Sequence, residues 1–152
     1  MIQPILTYPK DKDILTQTSE EVKDIEEVKT LIQDLKDTLH STNDGKGISA
    51  IQIGVPKKVC ICSWAGQEIV MINPRITRTR GEQLFSEGCL SAPGKYAMVT
   101  RYQKVWCEYM DENGEIKTID EGGRMSNIIQ HELDHFNGAC ALFYGDNYEN
   151  KN

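Results

Sequence analysis

A stripe of apolar residues crosses the segment that precedes His40, with acidic residues and lysines between its members. This spacing is typical of an amphipathic helix that packs one face on a core. Thr18 with Glu21 could form the capping box that begins the helix, although Ser19 competes as its first residue. We therefore predict an extended arm over the first twenty or so residues, followed by an amino-terminal amphipathic helix that ends near His40. The stripe comprises Ile25, Val28, Ile32, Leu35 and Leu39.

Short apolar and β-branched runs occupy the centre of the chain. Residues 58–62 and 68–72 are two such runs, and Ala65-Gly66 separates them. We expect Asn73-Pro74 to end the second run, and residues 75–85 to form a more polar strand. These segments together predict antiparallel β structure.

A hairpin and a second helix follow the central strands. Residues 104–110 and 115–119 are predicted to pair, because Asn113-Gly114 between them tolerates positive φ. Gly122-Gly123 should interrupt the chain before the helix, and Gly138 should end it. The apolar side of that helix is formed by Met125, Ile128, Ile129, Leu133 and Phe136.

The order of helix, antiparallel strands and helix predicts an α+β fold. We expect antiparallel β-sheets around a central helix that holds residues 131–135, with the amphipathic helix at the amino-terminal end. A chain of 152 residues is long enough for one domain, which we place over residues 1–152.

Composition limits the classes of partner. The net charge of −6 argues against nucleic acid as a direct partner, since phosphate contacts need clustered Lys and Arg. The chain shows neither the pattern of a signal or transit peptide nor an apolar run long enough for a membrane span. We therefore expect a cytoplasmic protein without membrane contact, and its five cysteines to be reduced thiols.

The sequence His131-Glu132-Leu133-Asp134-His135 is the strongest chemical signal. On a helix the two histidines lie at positions i and i+4, so both imidazoles leave one face and can bind one divalent metal ion. Glu132 between them is placed to act on a water at that metal. Cys89 is the best third ligand, because its neighbour Gly88 lets the sulfur approach without a crowding side chain.

The remaining cysteines and histidine predict structural roles. Cys60 and Cys62 alternate along a predicted strand; a metal clip is conceivable there, but buried strand residues are favoured. Cys107 and Cys140 are interpreted in the same way. His40 is expected to cap the first helix.

Three segments resemble the motifs of the peptide deformylases in order and approximate spacing. They are GKGISAIQ (residues 45–52), EGCLS (residues 87–91) and QHELDH (residues 130–135). Members of that family remove the formyl group from the N-terminal formylmethionine of nascent polypeptides and release formate. The glycine spacing of the first segment is a weak signal alone, although glycine does allow close approach of a ligand to the backbone.

The resemblance implies roles for individual residues. Cys89, His131 and His135 would bind one metal ion per chain, Fe(II) in the cell, replaceable by Ni(II), Co(II) or Zn(II). Glu132 would act as general base and acid. The Gln52 side chain and the Leu90 backbone N–H would donate to the oxyanion, and Arg101 would pair with Glu87.

The resemblance also implies a peptide-binding surface. Residues that would bind substrate are Gly45, Lys46, Gly47, Ile48, Glu87, Gly88 and Ile128. Lys46 and Ser49 depart from the family pattern, and Arg124 with Asn127 makes the approach to the last helix more polar, so the side-chain preference is open. Only a short polar tail follows Phe143-Tyr144. We therefore expect the family's C-terminal helix to be missing or abbreviated, as in short or phage-borne members.

Two other functions compete with this interpretation. A zincin-type metallopeptidase also uses a helical HExxH motif, but it usually takes a third His or Glu downstream of the helix, where only Glu149 in the tail is available. A metal-free relative that only binds peptides would lack a ligand or Glu132, and all of these residues are present. We expect an active, monomeric deformylase whose partners are N-formylmethionyl peptides, with a transient contact to the ribosome.

Overall fold

An antiparallel sheet forms the frame of the molecule, whose computed structural model describes residues 1–143. The strands are β1 (Gly47–Ser49), β2 (Val59–Trp64), β3 (Gln67–Glu87), β4 (Ala97–Met110) and β5 (Ile116–Gly122). Each strand pairs with the next in sequence, so β1 and β5 lie at the two edges. The α-helices are α1 (Lys12–Leu15), α2 (Lys29–His40) and α3 (Gly123–Phe136), and 3-10 turns cover Ile25–Val28, Ala50–Ile53 and Ala141–Phe143.

The sheet separates two apolar cores because its side chains alternate between faces. Val59 and Ile61 of β2 pack with the apolar stripe of α2. Cys60 and Cys62 of the same strand point the other way and pack with α3 and β4. The two cysteines are therefore buried strand residues, as predicted, and β2 lies between the two long helices.

The predicted strands are present, with one correction. β2 pairs with β3, and the β4–β5 hairpin joins Met110 to Ile116 across the predicted turn. Asn73-Pro74 was expected to end a strand, but β3 continues through it with a shift of register between Ile72 and Arg75. Pro74 cannot donate to the ladder, so the chain forms a bulge there rather than an end. Asn73 stabilises the bulge, since its amide exchanges hydrogen bonds of 2.8 Å with the backbone of Val22.

The amino-terminal segment differs from prediction in two ways. Residues 18–24 are not helical, because their backbone pairs elsewhere: the Ser19 N–H donates to Phe136 and the Glu20 N–H to Pro56. The helical region instead begins after Asp24, whose side chain accepts a hydrogen bond from the Glu26 N–H. The arm before it also contains the short helix α1, which periodicity did not indicate.

The helix termini agree better with expectation. α3 starts at Gly123, and Gly138 follows its last turn with a left-handed φ of 69°. His40 ends α2, and its Nε2 lies 2.6 Å from Glu68 Oε1 on β3. None of the helices in residues 1–143 has the length and hydropathy needed to cross a membrane.

The packing of α2 on β1 and β2 can be tested with a matched pair of leucines. Leu35 is fully buried and Leu84 is 58% exposed. Leu35→Ala should lower the free energy of unfolding by about 2–5 kcal/mol, because it leaves a cavity in the core. Leu84→Ala should change it by less than about 0.5 kcal/mol. Urea denaturation followed by the fluorescence of the two tryptophans measures both, and equal effects would contradict the assigned core.

Candidate active site

Helix α3 presents His131 and His135 to the same buried region. The rings lie with centroids 5.1 Å apart at 71°, and the two residues are 7% and 0% exposed. The helix is fixed in this position because Met125 and Ile129 pack against β2 and β4 on its apolar side. The i, i+4 spacing therefore places both imidazoles together, as predicted.

Cys89 joins the two histidines from the loop that follows β3. Its Sγ lies 3.4 Å from His135 Nε2. Burial lowers the pKa of His135 to about 4, so its imidazole is neutral at pH 7 and its nitrogen lone pair is available. A thiol and two imidazoles are ligand types that divalent transition metals accept, so the chemistry of these residues fits a metal centre.

A second sulfur lies in the same cluster, which sequence reasoning did not anticipate. Potential ligand atoms of Cys89, His131, His135 and Cys140 all lie within 4.8 Å of one another. Cys140 is buried, as expected, but its neighbours are not only apolar. A hydrogen bond with Cys89 lowers the pKa of the Cys140 thiol. Cys140 lies two residues beyond Gly138, and the sequence does not show that the chain turns back towards the histidines there.

Glu87 holds His131 in orientation. Its Oε1 lies 2.8 Å from His131 Nδ1, and the Arg101 guanidinium donates to both carboxylate oxygens at 2.7 and 2.9 Å. Burial alone would raise the pKa of Glu87, but hydrogen bonds from Arg101 and His131 lower it to about 2. The ionised carboxylate can only accept, so His131 Nδ1 carries the proton and Nε2 is left free for the cluster.

The same network reaches α3 at two further points. Arg101 also donates to Asp134 at 2.6 Å, and the Asn127 amide donates to Glu87. The expected pairing of Arg101 with Glu87 is therefore confirmed. Glu87 lines the cavity at the site, but its side-chain oxygens are occupied by protein donors.

Glu132 lines the cavity that leads to the cluster of Cys89, His131 and His135. Burial raises the pKa of Glu132 to about 7, a value suited to accepting and returning a proton near neutral pH. The Ser49 hydroxyl donates to its Oε1 at 3.0 Å. A Cβ at Gly47 would lie 2.6 Å from Glu132 Oε2, so only glycine lets β1 pass this close to the carboxylate.

Gln52 is fixed beside Cys89. Its Oε1 accepts the Ser49 N–H at 2.8 Å, which turns the amide nitrogen towards the cluster. That nitrogen donates to Ser91 Oγ at 3.0 Å and to Cys89 Sγ at 3.6 Å. The amino-terminal arm supports this arrangement, because the Leu6 N–H donates to the Gln52 carbonyl. Ser91 belongs to the EGCLS segment, but its contact with Gln52 was not predicted, since the sequence does not show that residues 52 and 91 meet.

A cavity of about 670 Å³ leads to these residues. Nearly all predicted substrate-binding residues line it, with one exception. The Ile48 side chain is fully buried in the core against α2 and does not line the cavity, because alternation on β1 turns it away from the Gly47 face. The predicted residues on the wall are Gly45, Lys46, Gly47, Gln52, Glu87, Gly88, Cys89, Leu90, Ile128, His131 and Glu132.

Two positively charged side chains, those of Lys46 and Arg124, line the cavity. Arg124 donates to the Ser86 carbonyl at 3.0 Å and to Asn127 at 2.9 Å. Its guanidinium lies 5.2 Å from the Phe85 ring centroid, and Lys46 Nζ lies 5.9 Å from that of Trp64. These contacts place Lys46 and Arg124, two residues that depart from the family pattern, at the cavity with an aromatic ring close to each.

The chain belongs to the polypeptide deformylase family, whose model matches residues 2–150. It is 36% identical to Peptide deformylase 3 of Shewanella oneidensis over 141 residues, which covers 91% of this chain and 85% of the relative. The fold matches the crystal structure of a peptide deformylase from Legionella pneumophila with a TM-score of 0.85 and 35% identity, covering 92% of this chain and 83% of that one.

A phage protein is also similar in structure. The probable peptide deformylase from Synechococcus phage S-SSM7 gives a TM-score of 0.84 at 30% identity, covering 91% of this chain and 96% of the phage chain. The expectation of a missing C-terminal helix concerns residues 144–152, which lie outside the described residues. Family membership does not favour the metallopeptidase alternative.

The low pKa of Glu87 predicts a dependence of stability on acid. The folded-state pKa of about 2 lies below the ordinary value of 4.5, so the unfolded chain binds a proton first as pH falls. The stabilisation is complete above about pH 4.5, is lost as pH approaches 2, and amounts to about 3 kcal/mol.

Glu87→Gln cannot ionise and should lose this pH dependence. Urea denaturation of metal-free protein between pH 5 and pH 2 measures it. Glu82→Gln, which changes an exposed residue of the same strand, should behave like the unmodified chain. A slope in Glu87→Gln as steep as in Glu82→Gln would show that the Glu87 carboxylate is not responsible.

Proposed function

We propose that the chain is an active peptide deformylase, which hydrolyses the formamide of N-formylmethionyl polypeptides to formate and a free amino terminus. The observation that supports this most directly is the position of Glu132 and Gln52. They flank the cluster of Cys89, His131 and His135 at the inner end of a cavity open to a peptide. A proton acceptor, an amide donor and a metal-binding set thus converge on one point, as hydrolysis of an amide requires.

We assign to Cys89, His131 and His135 the binding of one divalent metal ion per chain. Bound there, it would act as a Lewis acid and lower the pKa of water towards neutrality. The family suggests Fe(II), with Ni(II), Co(II) and Zn(II) as replacements. The preference of sulfur and imidazole ligands for later transition metals is consistent with each of these.

The protein groups then supply the proton transfers and the charge stabilisation. Glu132 accepts the proton of the water whose oxygen adds to the formyl carbon. The Gln52 amide and the Leu90 backbone N–H donate to the formyl oxygen as it gains negative charge, and one such donor is typically worth about 10²–10³ in rate. Glu132 returns the proton to the amine nitrogen as the carbon–nitrogen bond breaks.

The peptide would lie as an added strand on the outer edge of β1. This edge has no partner strand among residues 1–143, so its backbone groups are available to an extended peptide. Gly47 turns its backbone groups to this edge, Ile48 supports it by pairing with Ile61 of β2, and Gly45 and Lys46 line the cavity beside it. On the opposite wall Gly88 and the backbone of Glu87 complete the groove.

The methionine side chain would occupy the part of the cavity next to Ile128. Arg124 and Asn127 line the same cavity, and the Arg124 guanidinium lies 5.2 Å from the Phe85 ring centroid. The hydrocarbon stem of an arginine can cover apolar surface. The pocket is therefore compatible with a long, flexible apolar side chain. Asn127 is already engaged with Glu87 and Arg124, which limits its use in substrate binding.

The site fits the deformylase reaction better than a zincin peptidase. A zincin takes a His or Glu from downstream of the helix as its third ligand, whereas the ligand beside His135 here is the sulfur of Cys89, from upstream of α3. We further propose one catalytic domain over residues 1–152, acting as a monomer in the cytoplasm where formylated chains are made. A transient contact with the ribosome belongs to the same proposal.

Removal of the base should separate catalysis from metal binding. Glu132→Ala should still bind one metal per chain, because Glu132 is not a ligand, but it should release formate from formyl-Met-Ala-Ser at least about 10²-fold more slowly. Formate release and metal content measure the two effects. Glu27→Ala, which changes an exposed acid, should leave both unchanged. Full turnover in Glu132→Ala would remove this residue from the mechanism.

Removal of the predicted sulfur ligand should affect the metal itself. Cys89→Ala should lose the metal during purification, because the cluster loses a thiolate that faces the cavity. Metal analysis of anaerobically purified protein measures this, with Cys107→Ala as a control that removes a buried thiol outside the cluster. Stoichiometric metal in Cys89→Ala with unchanged affinity would refute the ligand assignment.

A further inference from the structure

We propose that Cys140 is a fourth protein ligand, so that the cation is held by the sulfurs of Cys89 and Cys140 and by one nitrogen each of His131 and His135. This inference rests on the proposed metal site and goes beyond it. A catalytic zinc centre usually has three protein ligands, and a water molecule occupies the fourth position. Here the protein has a second sulfur at the same place.

The distances among the four donors suit a single ion. Their ligand atoms lie within 4.8 Å of one another, and the Cys89 Sγ to His135 Nε2 distance is 3.4 Å. Zinc–nitrogen and zinc–sulfur bonds of about 2.0–2.3 Å imply tetrahedral edges of about 3.3–3.8 Å. One edge is thus already of the right length, and no other edge needs to shorten by more than about 1.5 Å.

The backbone on both sides of Cys140 is fixed by hydrogen bonds. The Gly138 N–H donates to the His135 carbonyl at 3.1 Å, and the Phe143 N–H donates to the Cys140 carbonyl at 3.0 Å. A Cβ at Gly138 would lie 2.2 Å from the Thr16 carbonyl oxygen, so glycine is required for the turn to pack here. This turn brings the chain back from the end of α3 to the histidines.

The other buried cysteines provide a contrast. Cys60, Cys62 and Cys107 pack in the apolar core between the sheet and α3, away from the four-residue group. Cys140 also has apolar neighbours, including Leu15 and Leu142. A small apolar residue would fill that space equally well, but it would not place a sulfur beside two imidazoles.

Cys140 need not obstruct the substrate. Cys89 and His131 line the cavity, whereas Cys140 is 1% exposed and is not part of the wall. Its sulfur therefore approaches the cluster from the protein side, and the peptide from the other. Zinc centres expand to five ligands in some hydrolytic sites, so a four-donor set is compatible with the proposed reaction.

Two sulfurs and two imidazoles are the donor set of many structural zinc sites, which bind the metal tightly. Loss of a group outside the ligands costs about 10- to 100-fold in metal affinity, so loss of Cys140 as a direct ligand should cost more than about tenfold. We therefore expect weaker zinc binding in Cys140→Ala. Cys107→Ala, which also removes one buried thiol, should bind zinc as the unmodified chain does.

X-ray absorption of the zinc-loaded full chain, prepared without oxygen, counts sulfurs at the metal without reference to activity. The unmodified chain and Cys107→Ala should each show two sulfur atoms at about 2.3 Å, and Cys140→Ala should show one. One sulfur in the unmodified chain overturns the role of Cys140, even if Cys140→Ala fails to fold. A chain that binds no zinc at all would instead refute the proposed metal site, so the two failures are distinguishable.

Discussion

The buried ion network around Arg101 joins the parts of the molecule on which the site depends. The Arg101 side chain is fully buried on β4 and pairs with Glu87 at the end of β3 and with Asp134 on α3. Burying charges costs several kcal/mol per ion, and only close geometry with every donor satisfied offsets this cost. The network therefore fixes the relative position of a strand end and a helix, and with it the distance between Cys89 and the histidines. Through Glu87 it also sets which nitrogen of His131 faces the metal.

Much of the fold follows from local patterns. Helical periodicity gave the positions of α2 and α3, and Asn113-Gly114 gave the hairpin, because side-chain period and turn chemistry act over a few residues. The start of the first helical region was wrong for the opposite reason. Ser19 and Glu20 bond to the backbone of residues 136 and 56, and no local pattern shows that such distant partners exist. The bulge at Asn73 depends in the same way on a distant residue, Val22.

The candidate site was predictable where its chemistry lies in short motifs. His131 and His135 needed only helical geometry, and Cys89 could be selected as their partner because a cysteine beside Gly88 suits a metal site; the family pattern implied the same residue. Ile48 was expected at the cavity, but strand alternation turns its side chain into the core once Gly47 faces Glu132. Cys140 could not be placed from the sequence, since its proximity to the histidines depends on the direction of the chain after Gly138. That direction is decided by packing of the turn against Thr16.

The short length of β1 has a consequence for what the protein can distinguish among polypeptides. Residues 47–49 are the whole strand, and three residues of extended chain span about 10 Å. A peptide that pairs with that edge, as proposed, would contact β1 over its first few residues only. Most of these contacts would involve backbone groups, which every protein shares. Under the proposed binding mode, discrimination would come mainly from the terminal formyl group and its methionine. An enzyme that binds its substrate in this way would accept many different residues after the formylmethionine.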